Sequence, residues 1–307
     1  ATATEHLGKL VDPLARALVW GAAWDMTRDA EASTGEFLTL VLAGIGSETD
    51  IGVAQGVLRQ LRSAIDQFAT PEHRPEYLTR LATLLESLAR DAAPASDHQL
   101  AFTRAFVAAA TTEAQLDLVR DLLDGTVVWD GLAVDTDMRW FLLQRLVVKG
   151  RLADDAIEAE LARDDTATGR RQAAVARAAR PTAVAKELAW ADVVDRTDLP
   201  NAIMESTIAG FMQPDQVDLL VPYRERYFAD LARVWDDRPN EMAQDITVGL
   251  FPMMLIDDET VAATDAFLAG DLNSAMRRLV SEGRDGVLRA ARARAVDASG
   301  FVEQIDA

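Results

Sequence analysis

The 307-residue chain is long enough to bury a large core unaided. It has no cysteine, which excludes thiolate zinc sites, iron–sulfur clusters, thiol nucleophiles and disulfide frameworks together. Its formal net charge of −19 repels phosphate backbones, so nucleic acid is not an expected partner. There is no apolar run of about 18 residues and no basic-then-apolar leader, so no membrane span is expected and the cytoplasm is the expected compartment. The chain opens without methionine and reads like a piece excised from a longer polypeptide.

Alanine, leucine, aspartate, glutamate and arginine dominate, and almost every segment fits a 3.6-residue period. About fifteen or sixteen helices and no sheet are predicted. The first runs from about Val11 to Arg28 and carries Trp20 and Trp24 one turn apart, with Leu14, Ala17, Leu18 and Gly21 read as the same face. A following helix is expected to cover that face, the alternative being that one ring lines a cavity or meets a partner domain. Asp25 and Arg28 can pair on its flank. The second helix holds Phe37, Leu38, Val41 and Leu42 and stops at Gly44-Ile45-Gly46. Ser47 or Asp50 caps the third, which runs to Phe68. Thr70-Pro71-Glu72 is read as the start of the fourth. Ser96 caps a helix from about His98 to Ala110, and another follows from Thr112 to Leu123.

Residues 124–136 are the longest irregular piece, a packed loop or a small hairpin. A strongly apolar helix from Asp137 then ends near Gly150. Shorter helices follow at 153–163, 168–179, 182–190 and 200–209, and then at 214–220, 223–235, 240–250, 257–268 and 271–296. Helix pairs recurring at this length suggest stacked hairpins of the HEAT or armadillo type, which build a curved superhelix. The chain is read as one helical-repeat domain over residues 1–298, with a frayed tail over 299–307.

Little in the sequence carries chemistry. His6, His73 and His98 share no zinc-binding spacing and are read as surface residues. No nucleophile elbow, P-loop or dinucleotide fingerprint is present. Asp154, Asp155 and Glu158 form a DDxxE string that in an all-helical enzyme can hold magnesium. They also sit at a helix start, where acidic side chains favour the helix dipole without any metal. The final helix carries Arg277, Arg278, Arg284, Arg289, Arg292 and Arg294, either paired with acidic neighbours or facing a carboxylate-bearing partner. On these residues alone the chain is an acidic all-α binding or structural module.

Four stretches carry a resemblance: WGAAWDMTRDAE at 20–31, VLAGIGSETDIGV at 41–53, VDTDMRWFLLQRLVVKGR at 134–151 and GFMQPDQVDLLVPYRERYF at 210–228. In order and spacing they resemble the helical C-terminal domain of bacterial aminopeptidase N, a family of gluzincin zinc aminopeptidases. The HExxH zinc helix and the GAMEN-type loop of that family are absent from this sequence. The resemblance therefore implies a non-catalytic domain, a bowl of stacked helices that closes over a catalytic domain and shapes a chamber for peptides. It implies zinc in the parent enzyme only, and as partners the catalytic and β domains of the same parent chain together with peptide substrates. Arg139, Phe211 and Gln213 are the expected chamber residues, against a competing reading in which Arg139 pairs with Asp135 and Phe211 is core. A free-standing interaction scaffold is the alternative function.

Overall fold

The computed structural model describes residues 2–300, with side chains from Thr4 onward. Its described residues form α-helices joined by short turns, with no strand among them. In chain order these are α1 (Thr2–His6), α2 (Pro13–Arg28), α3 (Thr34–Gly44), α4 (Ile51–Gln67), α5 (Arg74–Asp91), α6 (Asp97–Ala109), α7 (Glu113–Asp124), α8 (Thr136–Val148) and α9 (Asp154–Arg163). There follow α10 (Ala167–Ala178), α11 (Ala183–Trp190), α12 (Asn201–Phe211), α13 (Val217–Leu220), α14 (Tyr223–Asp237), α15 (Asn240–Gly249), α16 (Asp258–Leu268) and α17 (Ser274–Gly300). The all-α expectation holds.

Local chemistry sets most helix starts. Asp12, Asp50, Ser96, Asp135, Thr166, Thr182 and Asp257 each accept a first-turn amide, a contact typically worth about 1 kcal/mol. Ser33 with Glu36, and Thr112 with Gln115, close full capping boxes. Gly125 ends α7 at φ 75°, a conformation that costs a side-chain-bearing residue about 1 kcal/mol or more. Residues 124–136 are a packed loop, not a hairpin. Trp129 is buried beside Phe106 and beneath the Arg90 guanidinium, and the Gln99 amide donates to the Asp130 carbonyl.

The fourth helix starts later than the sequence suggested. Residues 71–73 form a turn and α5 begins at Arg74. A start at Pro71 would place Pro75 where an amide must donate back to residue 71. A start at Arg74 puts that proline in the first turn, where no donor is needed.

The chain divides into two compact units. Unit 1 comprises residues 1–134 and 289–307, and unit 2 residues 135–288. In unit 1, α3 packs on α4 and α5, α5 on α6, and α2 on α3 and α4. Its core holds Trp20, Phe37, Leu38, Val41, Leu61, Ile65, Tyr77, Leu85 and Phe106. The face predicted for α2 is corrected here. Trp20 and Arg16 are buried, whereas Leu14 and Leu18 are each 67% exposed. At 100° per residue Leu18 lies about 200° around the helix from Trp20, so the two cannot share a side. Trp24 sits between Phe37 and Phe68.

In unit 2, α10 packs most closely on α12, with α9, α11 and α8 around α10 and α15 on α12. Gly210 makes that crossing possible, because a Cβ there would lie 2.2 Å from the Val175 carbonyl oxygen. Trp190, Phe211, Tyr223, Tyr227, Leu231, Ile246, Leu250 and Phe251 form the core of this unit. The expected tail begins inside α17, which includes Ser299 and Gly300, and residues 301–307 lie outside the described residues.

Candidate functional site

All three sequence-selected residues fall in unit 2. Arg139, in the first turns of α8, forms a two-pronged ion pair with Glu160 of α9, Nε to Oε1 at 2.8 Å and Nη2 to Oε2 at 2.7 Å. Asp135, offered as its alternative partner, accepts the Met138 amide as the α8 cap. Trp140, one residue on, donates to Asp164 at 2.9 Å. The start of α8 is thus riveted to α9 by one charged fork and one indole.

Phe211 is the last residue of α12 and is 2% exposed. Its ring meets Tyr223 edge-on at 4.9 Å and Trp190 at 5.9 Å. With Met212, Leu220, Tyr223, Leu250 and Leu255 it lines a small apolar cavity. Gln213 follows two residues later, half-buried, with its side-chain amide donating to Ala209 at the end of α12. Phe211 and Gln213 therefore belong to one joint, where α12 hands over to the short turn Pro214–Gln216.

Charged groups that the sequence did not single out hold that joint. Lys186 of α11 is 0% exposed, and its ammonium donates to the carbonyls of Ala178 at 3.0 Å, Gly210 at 3.4 Å and Phe211 at 2.8 Å. One cation therefore caps the C-termini of both α10 and α12, the end of a helix that favours positive charge. Burial pushes Lys186 down to about 7, while the carbonyl acceptors favour its protonated form. Asp215 receives Arg145 at 2.5 Å and Lys149 at 3.3 Å from the far end of α8. Gln216 donates to the last carbonyls near α8 and α10, Val148 and Ala179. Arg139 stands six residues before Arg145, about 9 Å along the helix axis, and so outside this joint.

Unit 1 holds two further nodes. Glu48 is 4% exposed and accepts Arg16 Nη2 at 2.8 Å, Arg16 Nε at 3.1 Å, the Trp20 indole at 3.1 Å and the amides of Thr49 and Asp50. Asp297 on α17 is 0% exposed and accepts the amides of Gly35 and Thr70, the Tyr77 hydroxyl and His73 Nδ1 at 3.1 Å. His73 and His98, read from sequence as surface residues, are both partly buried, and His98 Nε2 lies 3.0 Å from the Glu48 carbonyl. The sequence signal for Lys186 was its register: Ala185, Lys186, Ala189 and Trp190 form one buried stripe.

The DDxxE string gathers no cation site. Asp154 pairs with Arg180 and Glu158 with Arg177, at the surface. Among the described residues no group of three or more His, Asp or Glu side chains could hold a metal ion. The zinc implied for the parent enzyme therefore finds no ligand set among the described residues. On α17, Arg284 pairs with Asp265, Arg278 with Glu282, and Arg277 caps the carbonyls of Leu268 and Gly270. No described helix is long and apolar enough to cross a membrane.

A family model, the ERAP1-like C-terminal domain, matches residues 1–289. The chain is 54% identical over 300 residues to a Streptomyces lividans protein named aminopeptidase N. The match covers 97% of this chain and 35% of that protein, so the chain spans about a third of its relative's length.

Proposed function

Because this chain belongs to the ERAP1-like C-terminal domain family, we propose that it is the non-catalytic helical domain of a zinc-dependent aminopeptidase N. In this reading both compact units act as one functional domain. Their helices form a wall that closes over the active site of a separate catalytic domain. The wall limits which peptides reach that site and excludes water during removal of N-terminal residues. The zinc, its ligands and the amine-binding loop belong to the catalytic domain, and the protein works in the cytoplasm. The observation that carries the reading is the 54% identity with an aminopeptidase N across nearly the whole chain. No observation favours a free-standing scaffold.

Arg139, Phe211 and Gln213 are the proposed chamber residues. Phe211 supports the joint from beneath, and Gln213 and Arg139 offer an amide and a guanidinium to peptide. Full-length protein carrying Gln213→Ala with Arg139→Gln is expected to keep its kcat/KM on a single aminoacyl anilide. On peptides of eight or more residues its KM should rise several-fold, since one or two polar contacts are worth roughly 1 kcal/mol each. Equal effects on short and long substrates would refute the chamber assignment. Hydrolysis of aminoacyl anilides by purified residues 1–307 alone would refute the non-catalytic reading.

A further inference from the structure

The first long helix is built inside out. Its inward side carries Arg16, Trp20 and Thr27, all buried, and packs on α3 and α4. The Arg16–Glu48–Trp20 node fixes that side in place. Its outward side carries Leu14 at 67% exposure, Leu18 at 67%, the exposed Ala22 and Met26 at 44%, each four residues from the last. Val11, just before the Asp12 cap, is 92% exposed. An exposed helix face of a self-sufficient domain is normally polar. Here Arg16 is inside and two leucines are outside, beside the exposed Asp25.

The surface involved is on the order of a few hundred Å², comparable with the largest apolar patch of an ordinary monomer, which is often functional. A stable interface between separate molecules buries roughly 1,200 Å² over both partners together, about 600 Å² a side, so this patch alone sits at or below that lower limit. A second copy is further disfavoured by the net charge of −19, by Asp12 at the start of the stripe and by the exposed Asp25 on the same side of the helix, which would face their own kind. A small apolar patch suffices when its partner is covalently attached, because tethering supplies a millimolar-range effective concentration. The matched relative is long enough to provide such a neighbour, since this chain covers 35% of it.

We propose that the outward stripe of α2, Val11, Leu14, Leu18, Ala22 and Met26, is the docking face for an apolar surface of the remaining part of the same polypeptide. The inference rests on the reading of this chain as one domain of a longer aminopeptidase. It fixes which helix, and which side of it, meets the rest of the enzyme.

The test is thiol labelling of Leu18→Cys in the full-length protein, followed at that site by peptide mass spectrometry, with Leu14→Cys as the second position. Both side chains point away from the core of unit 1, so neither change removes a buried contact. Labelling of the native protein is expected to be slower than labelling in urea by about tenfold or more, at every protein concentration. Equal native and unfolded rates at both positions would overturn the proposal. Protection that disappears on dilution would also overturn it, in favour of a second copy. The aminoacyl-anilide assay keeps the two readings apart. If the Leu18→Cys variant is an active enzyme and its new thiol labels freely, this inference falls and the proposed function stands. If that thiol is protected in a protein without peptidase activity, the reverse holds.

Discussion

Glu48→Gln isolates the buried charge node of unit 1. Burial by itself would push the Glu48 carboxyl up. The Arg16 fork, the Asp50 amide and the Trp20 indole outweigh it and hold the group at about 2, against 4.5 for a free side chain. That difference of about 2.5 units corresponds to roughly 3.4 kcal/mol at 1.36 kcal/mol per unit. The folded value lies below the unfolded one, so the contribution is complete above pH 4.5 and drains away as pH falls towards 2. Glutamine keeps the shape but points an amide group at donors that need an acceptor. It also leaves Arg16 as a buried cation without its anion, a loss that typically costs about 3–5 kcal/mol. Urea unfolding of both proteins between pH 2 and 7 checks this, with hydrogen exchange at the α2 and α4 amides assigning the change to unit 1. Wild type should lose about 3 kcal/mol more than Glu48→Gln across pH 4.5 to 2, and the variant should be weaker by a similar amount at pH 7. If the two pH profiles run parallel, or the variant loses less than about 1 kcal/mol at pH 7, the node does not hold the helix and the argument fails.

Lys186→Met should change the alkaline side of the same measurement. The folded value of about 7 lies below the unfolded 10.5, so the unfolded chain binds more protons in between and stability rises with pH over that window; the rise should vanish in the variant, and its persistence would place the titrating group elsewhere. Gly210→Ala sets a methyl 2.2 Å from the Val175 carbonyl, where the α10–α12 crossing must open. A loss of about 1–3 kcal/mol is expected in urea unfolding, against a small gain had the site been an open helix position.

What could be read from the sequence was whatever depends on a few consecutive residues. Ser96, Thr112, Thr182 and Asp257 announce helix starts because a cap bonds an amide two or three positions away. The breaks at Gly125 and Gly150 follow from φ values of 75° and 68°, which glycine adopts freely. Two tryptophans one turn apart suggest a broad apolar face on α2, but the inward side is narrower than that. The leucines two and six positions before Trp20 lie on the other side, and the buried member of the face is Arg16. His73, expected at the surface, is partly buried for a different reason. Its partner Asp297 is 224 residues away, and no local pattern reports such a pairing. Phe211 is core, and its neighbours Trp190 and Tyr223 come from helices on either side of it in the chain.

Four of the charged residues inside this protein follow one rule. A stack of short helices buries many helix ends, and each end carries backbone groups that no helical bond satisfies. Amides face inward at N-termini and carbonyls at C-termini, so the interior needs anions at the first and cations at the second. Asp297 receives amides near the starts of α3 and α5, and Glu48 receives those just before α4. Lys186 answers the ends of α10 and α12, and Arg238 donates to the carbonyls of Val193 and Val194 where the turn after α11 closes. Acidic residues at helix starts were visible in the sequence, but as local caps. Their buried counterparts sit in mid-helix on other elements, as Lys186 does, or at the end of another helix, as Arg238 does. A lone cation between alanines on the buried stripe of a short helix is therefore the signature to seek in other helical arrays of this kind, and the helix C-terminus it answers lies on another element.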